Sequence, residues 1–518
     1  MGFGSEKREL ESNASLEFAC LTDWGAPFFT RGVKYSLFFL WFSLGIVSLE
    51  ARPNVILALA DDLGYGDLAC YGNEIVHTPH LDRFAEEGMR FTDCYSAAAN
   101  CSPSRAGLMT GRTPWRVGIH NWIPMMSPMH VRESEVTIAT LLRDSGYATC
   151  HSGKWHLNGL FNLPGQPQPS DHGFDHWFSV QNNALPNHRN PYNFVRNGIP
   201  AGPIEGYSAD IVTDEAISWL REQGGKEEPF FLFLCYHEPH EPIATAERHA
   251  RHYAHIEDPA ERALWGNITQ LDAAFGRLLA EIDSLGMRDD TLVFFTSDNG
   301  PALTGKHPYG SAGLLRAKKG YVWDGGIRVP GILRWPGVTE AGSVCEEPIS
   351  GVDWLPTLCD IADIAVPDDR AIDGASLVPL LEGESLERET PLYWHFLRSR
   401  SSVKVAIREG DWKLAARIDR PDLKPSGGIT EEDIEFNQNA ELTEFVLFNL
   451  RDDIAETTNL AEKESAIFEE MKSDLLEMYE EVRGESPVWP TWEFPRYEGQ
   501  RIEWPDYQAL RRPPTYEP

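Results

Sequence analysis

Basic residues are scarce in this chain of 518 residues. It has 46 Lys and Arg against 79 Asp and Glu, which gives a formal net charge of -33. Such an acidic surface repels nucleic acid and excludes binding to it through bulk electrostatics. An anionic substrate is also repelled at long range, so any site for one must be a local cluster of cations or a metal.

Other patterns are absent, and each absence excludes a class of protein. The eight cysteines show no CxxC spacing, which argues against zinc-ribbon and thioredoxin-like proteins. The sequence has no nucleotide-binding glycine loop and no internal repeat. Its longest apolar run, residues 36–49, has about 14 residues and is too short to span a bilayer comfortably.

That apolar run predicts a secretory signal peptide. Lys34 precedes it and Ala51 follows it, and no cysteine that would carry a lipid anchor comes next. We therefore expect a leader over residues 1–51, with residues 33–51 as the signal proper and a mature protein in the periplasm or outside the cell. The alternative, in which the run is a buried strand or helix of the fold, stays open.

The rest of the chain predicts an α/β fold. Apolar residues make up 42% of the sequence, enough for a large core. Continuous apolar runs are typical of buried parallel strands, and they occur at residues 53–60, 147–151, 229–236 and 291–297. We expect a large, mostly parallel sheet flanked by helices, in a catalytic domain over residues 52–388.

Composition changes after this domain. A hairpin pattern at residues 403–416, a strand pattern and a terminal helix predict a smaller antiparallel sheet domain over residues 389–485. Residues 486–518 are rich in Pro, Trp and Tyr without periodicity, and we expect this tail to wrap the surface. Residues 161–206 predict a long loop over the mouth of a site.

Charged residues directly follow two of the predicted strands. Asp61 and Asp62 come after residues 53–60, and Asp298 and Asn299 come after residues 291–297. Open α/β sheets place their sites at the carboxyl ends of strands, and adjacent acids repel unless a cation lies between them. The four residues therefore predict a Ca²⁺ or Mg²⁺ site, with ordinary surface turns as the alternative.

Cys101 stands in an unusual sequence, Cys-Ser-Pro-Ser-Arg, which runs on to Thr-Gly-Arg at residues 110–112. Pro103 removes a backbone donor, and Arg105 places a fixed cation one helical turn from the cysteine. A helix predicted over residues 104–111 puts Cys101 near its positive end. The alternative is a structural cysteine ahead of a basic helix.

These motifs closely resemble those of the formylglycine-dependent type I sulfatases, in the alkaline-phosphatase superfamily. All fixed positions of the Cys-x-Pro-x-Arg and Thr-Gly-Arg signature match, and residues 153–156 (Gly-Lys-Trp-His) match a second family element. Residues 314–330 match a further element, and the Asp61-Asp62 pair lies where the family has it. The resemblance covers nearly all of residues 52–485.

The resemblance implies hydrolysis of a sulfate monoester to an alcohol and inorganic sulfate. A formylglycine-generating enzyme would oxidise Cys101 to formylglycine (3-oxoalanine), whose hydrate is the nucleophile and also a ligand of the metal, usually Ca²⁺. The implied catalytic residues are Cys101, Arg105, Lys154, His156, His240 and Lys319. In this scheme the three cations hold the sulfuryl group or the diol, His240 protonates the leaving alcohol, and His156 takes a proton from the diol.

Export and the acidic composition favour sulfated polysaccharide fragments as substrates, with arylsulfatase side activity. Two alternatives stay open: a phosphate or phosphonate ester hydrolase of the same superfamily, and a non-catalytic protein that binds sulfated glycans with Cys101 unmodified. With Cys101 modified and Cys20 lost with the leader, six cysteines remain, which leaves room for one or two disulfides whose pairing the sequence does not give. Lys318, beside Lys319, is expected to be solvated.

Overall fold

The computed structural model describes residues 52–509, so the predicted leader lies outside the described residues. The strands are β1 (Asn54–Asp61), β2 (Met89–Phe91), β3 (Cys94–Tyr95), β4 (Ala148–Lys154), β5 (His176–Val180), β6 (Val195–Arg196), β7 (Ile199–Pro200), β8 (Phe230–Pro239), β9 (Thr291–Ser297), β10 (Gly331–Arg334), β11 (Ser343–Cys345), β12 (Ile349–Ser350), β13 (Leu392–His395), β14 (Val403–Glu409), β15 (Trp412–Ile418) and β16 (Leu442–Asn449). The helices are α1 (Pro79–Glu87), α2 (Cys101–Thr110), α3 (Pro114–Val117), α4 (Ile138–Asp144), α5 (Ser208–Gln223), α6 (Glu247–Ala250), α7 (Pro259–Ser284), α8 (Asp324–Ile327), α9 (Trp354–Ile361), α10 (Val378–Leu381), α11 (Glu431–Asn439), α12 (Ser465–Glu485) and α13 (Asp506–Ala509).

Ten strands form one large sheet, in the order β11-β2-β10-β9-β1-β8-β4-β5-β6-β7. The central strands β9, β1, β8, β4 and β5 are parallel to one another. Their side chains are almost all buried, because helices cover both faces of the sheet. The predicted α/β fold with a large, mostly parallel sheet is confirmed.

Alternate residues of β1 show how the two faces are covered. Ile56 and Ala58 belong to a core formed with α5 and α7, whereas Val55 and Leu57 belong to a core formed with α2, α4 and α9. Successive side chains of a strand point to opposite faces, so one apolar run supplies both cores. None of the helices in residues 52–509 combines the length and the apolar character that crossing a membrane requires.

A separate antiparallel sheet, β13-β14-β15-β16, lies in the C-terminal part, as predicted. Buried charges connect it to the catalytic part of the chain. The Lys413 ammonium on β15 lies 2.7 Å from Asp324 Oδ1 of α8 and 2.8 Å from Glu456 Oε1, and none of the three side chains is exposed. The domain bounds at residues 388 and 485 stay a prediction.

Two features of the structure differ from what the sequence suggested, one in residues 161–206 and one in the cysteines. Residues 161–206 are not a loop throughout, because they supply β5, β6 and β7 at one edge of the large sheet. These strands are too short to show periodicity. The disulfides that the number of cysteines allowed do not occur among the described residues, where all seven cysteines are free. Five of the seven are buried, and four of these, all but Cys101, pack in the apolar cores as free cysteine commonly does.

Lys413→Met is expected to lower the free energy of unfolding by about 3–5 kcal/mol, since it removes the cation that pairs with buried Glu456 and leaves Asp324 with Arg328, 3.4 Å away, as its remaining ion-pair partner. Urea denaturation measures the change. Lys463→Met is the matched control, because the Lys463 side chain is 77% exposed and its replacement should have little effect. Equal stability of the two variants would contradict this account of the connection.

Candidate active site

The carboxyl ends of two neighbouring strands bring the predicted metal ligands together. Asp61 is the last residue of β1, and Asp298 and Asn299 follow β9, its parallel neighbour. The backbone N–H of Asp62 donates to Asp298 Oδ1 at 3.2 Å, and Asn299 Nδ2 donates to Asp62 Oδ1 at 2.7 Å. Asp62 itself has a left-handed backbone, with φ of 67°, which turns its carboxylate into the same space.

Each of the three carboxylates has one cation beside it; Lys154 and Arg105 are fully buried, and the Lys319 side chain is 20% exposed. The ion pairs are Lys154 Nζ–Asp61 Oδ2 at 2.5 Å, Lys319 Nζ–Asp62 Oδ1 at 2.5 Å and Arg105 Nη2–Asp298 Oδ2 at 2.8 Å. Arg105 also donates to the backbone carbonyl of Lys154 at 2.9 Å, which fixes α2 against the end of β4. The cluster therefore carries no net charge before an ion binds.

These cations keep the acids ionised in spite of burial. Burial is the largest influence and acts to raise the pKa of Asp61 and of Asp62, but the nearby cations, led by Lys154 and Lys319, together outweigh it and hold both pKa values below the usual range. Lys318, next to Lys319, was expected to be solvated. It is buried instead, and its Nζ donates to the carbonyl of Leu303 at 2.7 Å.

Cys101 is the first residue of α2, although the sequence predicted that this helix begins at residue 104. Pro103 is compatible with the earlier start because the first turn of a helix needs no donor at that position. Cys101 Sγ lies 3.2 Å from Lys319 Nζ and 3.8 Å from Asp61 Oδ1. Burial raises the pKa of this thiol to about 12, so an unmodified Cys101 stays protonated at neutral pH.

His240 lies beside the acids at the open side of the site. Its Nε2 is 3.5 Å from Asp62 Oδ2, and its side chain is 19% exposed. Its Nδ1 lies 2.5 Å from the carbonyl oxygen of Glu241. Because a carbonyl only accepts, Nδ1 carries a proton, and Nε2 is the nitrogen that faces the site.

His156 is buried and follows β4 with a left-handed backbone. Its Nε2 donates to the carbonyl of Ile123 at 3.1 Å. The lone pair on Nδ1 therefore has no hydrogen-bond partner among the described residues. Burial, with Lys154 and Arg105 nearby, lowers the pKa of His156 well below its ordinary value. The ring is therefore neutral at neutral pH and presents an acceptor.

The arrangement fits a hard divalent cation. Ligand atoms of Asp61, Asp62, Cys101 and His240 lie within 4.8 Å of one another. The amide oxygen of Asn299 is buried without a hydrogen-bond partner in the described structure, which a bound cation would relieve. Carboxylate and amide oxygens are the ligands that Ca²⁺ and Mg²⁺ prefer.

The site opens into a cavity of about 380 Å³. Residues that the sequence did not single out for the site form its outer walls: Trp122, Asn182, Asn183, Arg400, Phe494 and Glu498. The Glu498 carboxylate accepts from Asn182 Nδ2 at 2.8 Å and from the backbone N–H of Asn183 at 2.9 Å. The tail of residues 486–518 thus does more than wrap the surface, because it supplies part of the cavity wall.

A family model described as Sulfatase matches residues 53–364, which is more than half of the chain and includes every predicted site residue. The chain belongs to the sulfatase family. A second model, described as N-sulphoglucosamine sulphohydrolase, C-terminal, matches residues 316–425 of this sulfatase. That span contains strands β13 to β15 of the small sheet.

Known proteins agree with this assignment. Mouse (Mus musculus) steryl-sulfatase is 33% identical over 458 residues, which cover 72% of this sulfatase and 72% of the mouse protein. Rat (Rattus norvegicus) N-acetylgalactosamine-6-sulfatase is 34% identical over 403 residues, with 72% and 73% covered. The crystal structure of Ps i-CgsB in complex with k-i-k-neocarrahexaose has a TM-score of 0.73 at 27% identity and covers 89% of this chain and 98% of its own. The sulfatase is therefore a sulfuric ester hydrolase with an alkaline-phosphatase-like fold.

Ca²⁺ is expected to raise the Tm of metal-depleted sulfatase, because the ion binds the folded site and not the unfolded chain. The free energy of unfolding rises by about 2.7 kcal/mol when the free Ca²⁺ concentration is 100-fold above Kd. Asp62→Asn should lose most of this rise, whereas Asp144→Asn, which changes an exposed acid, should keep it. Thermal unfolding at increasing Ca²⁺ concentration measures the shift in Tm. Equal shifts in all three proteins would show that Ca²⁺ does not bind at this site.

Proposed function

We propose that this sulfatase hydrolyses sulfate monoesters with a formylglycine that a formylglycine-generating enzyme makes from Cys101. The position of Cys101 Sγ carries the proposal: it lies beside Lys319 and Asp61 at the start of α2 and lines the cavity. A thiol with a pKa of about 12 is a poor nucleophile at neutral pH. A hydrated aldehyde supplies an oxygen nucleophile at the same position.

Asp61, Asp62, Asp298 and Asn299 would hold the divalent cation, and Ca²⁺ is proposed ahead of Mg²⁺. The ion would polarise the sulfate ester and lower the pKa of a hydroxyl group bound to it. Asp298 Oδ2 accepts two hydrogen bonds from Arg105, whereas Oδ1 accepts one from the Asp62 backbone N–H, so Oδ1 is the Asp298 atom with a lone pair available for the ion.

The three cations have different places and therefore different roles. Lys319 contacts Cys101 Sγ and lines the cavity, so it is the cation that meets the sulfate oxygens. Arg105 has no exposed side-chain area, and its donors go to Asp298 and to the Lys154 carbonyl. It positions that carboxylate. Lys154 is fully buried beside Asp61 and offsets the negative charge of that carboxylate.

Two histidines line the cavity and would move protons. His240 presents Nε2 at the open side, and in the form of the ring with protons on both nitrogens it would donate the Nε2 proton to the oxygen of the leaving alcohol. His156 presents the lone pair of Nδ1, where it would accept a proton during regeneration of the site. Both roles are proposed from position and from the family resemblance.

Sulfated carbohydrates are the proposed substrates, with aryl sulfates cleaved as a side activity. A cavity of about 380 Å³ is of the size that binds a small ligand such as a sugar. The Trp122 and Phe494 rings meet edge to face, with centroids 5.2 Å apart, and both line it. The names of the rat relative and of the Ps i-CgsB complex point to sugars as well. We also propose that this sulfatase is exported to the periplasm or to the outside of the cell.

Cys101→Ala is expected to reduce turnover of 4-nitrophenyl sulfate by roughly 10⁴-fold or more, because it removes the reactive group. Its Tm should stay close to that of the wild type, since little volume is lost. Cys70→Ala, at a partly buried cysteine outside the site, is the control and should remain active. Mass spectrometry of the wild-type peptide should show an aldehyde at position 101. Near-normal activity of Cys101→Ala would refute the proposal.

Sulfate esters are expected to be cleaved at least roughly tenfold faster than matching phosphate esters, compared as kcat/KM. A sulfate monoester carries one negative charge, and a phosphate monoester carries nearly two at neutral pH. The site offsets its carboxylates with equal numbers of cations. Residues 52–509 contain one candidate group of metal ligands, whereas phosphate hydrolases often use two ions. The test compares 4-nitrophenyl sulfate and phosphate with converted Cys101. Equal or faster phosphate turnover would favour the phosphate ester hydrolase.

A further inference from the structure

Arg400 is a cation of the cavity wall that the proposed chemistry does not use. It lines the same cavity as Cys101, His240 and Lys319. The neighbouring Arg398 is paired, with Nη2 at 2.5 Å from Asp433 Oδ2. The exposed Arg400 side chain, in contrast, forms no ion pair with any acid in the described part of the chain.

The backbone fixes Arg400 close to the reacting residues. Its N–H donates to the carbonyl of Gly320 at 3.0 Å, and the Gly320 N–H donates to the carbonyl of Ala99 at 2.8 Å. Gly320 follows Lys319, and Ala99 lies two residues before Cys101. The Arg400 side chain also packs over Gly320, where an added Cβ would meet Nε at 3.6 Å. Arg400 is therefore held at the rim, next to the residues that would bind the sulfate.

The nearby carboxylate of the cavity does not balance this charge. Glu498 accepts hydrogen bonds on both of its oxygens, from Asn182 Nδ2 and from the Asn183 backbone. It forms no ion pair with Arg400 within the described residues. An uncompensated guanidinium at the mouth of a catalytic cavity is unexpected in a chain with a net charge of -33. A guanidinium binds carboxylate and sulfate groups well, often with two parallel hydrogen bonds.

We propose that Arg400 binds a second anionic group of the substrate, next to the sulfate ester that is cleaved. The inference rests on the proposed function and narrows its substrate class to sulfated sugars with a further negative group. That group is the carboxylate of a uronate or a second sulfate, on the same sugar or on its neighbour. Both sources offer the paired oxygens that a guanidinium recognises.

The test compares kcat and KM for four substrates on full-length sulfatase with converted Cys101 and added Ca²⁺. The substrates are 4-nitrophenyl sulfate, a monosulfated neutral disaccharide, a monosulfated disaccharide with a uronate, and a disulfated disaccharide. Arg400→Gln should raise KM for the preferred doubly anionic disaccharide, lowering kcat/KM by roughly 10- to 100-fold, with a clearly smaller loss for the singly anionic substrates. Arg400→Lys should restore part of the preference, because it keeps the charge without the planar donors.

Arg251→Gln is the matched control, because Arg251 is exposed, lies outside the cavity and should leave all four values unchanged. A loss confined to the uronate substrate assigns the carboxylate to Arg400, and a loss confined to the disulfated one assigns a second sulfate. An equal loss on all substrates, or a wild type without preference for a doubly anionic disaccharide, would overturn the inference. A wild type that cleaves none of the four, including 4-nitrophenyl sulfate, would contradict the proposed function itself.

Discussion

Three carboxylates buried side by side are the constraint on which the site depends. Each is paired with a cation from a different part of the chain, and this pairing keeps Asp61 and Asp62 ionised. Lys154 comes from the end of β4, Arg105 from α2, and Lys319 from the segment between β9 and α8. Since a buried charge without its partner costs several kcal/mol, the ion pairs also fix how these elements pack. At this edge of the sheet, the same ion pairs therefore determine both the charge of the site and the packing of its elements.

The same balance explains how so acidic a protein can attract an anion. Far from the site the surface charge of the chain repels a sulfate ester, but close to it the local charges decide. The three ion pairs, which include Lys319, leave the cluster neutral, so a divalent cation would give it a positive excess, which Arg400 extends into the cavity. The neutral cluster with one bound divalent cation would thus attract a singly charged group. Without the ion, no excess of positive charge has to be accommodated in the site.

The sequence predicts the centre of this site because parallel strands end at one edge of a sheet. Asp61 and Asp298 follow two apolar runs, and the pairing of those strands brings the side chains together. Residues 161–206 were expected over the mouth of the site, and Asn182 and Asn183 do line the cavity, but the individual wall residues and the part played by the tail were not predictable. Glu498 meets Asn182 across 316 residues, and neither residue lies in a periodic or motif-bearing segment. The start of α2 at Cys101 was also missed, although the first turn of a helix tolerates a proline such as Pro103.

Reaction and recognition come from different parts of the molecule. The groups around Cys101 belong to the large sheet and its helices and are buried in ion pairs, so replacing one of them disturbs stability as well as activity. The outer wall comes from the connection between β13 and β14, which carries Arg400, and from the tail, which carries Phe494 and Glu498. Connections of this kind tolerate change better than a buried charge cluster does. Substrate preference in this fold can therefore change at the outer wall while the chemistry of the sulfate group stays the same.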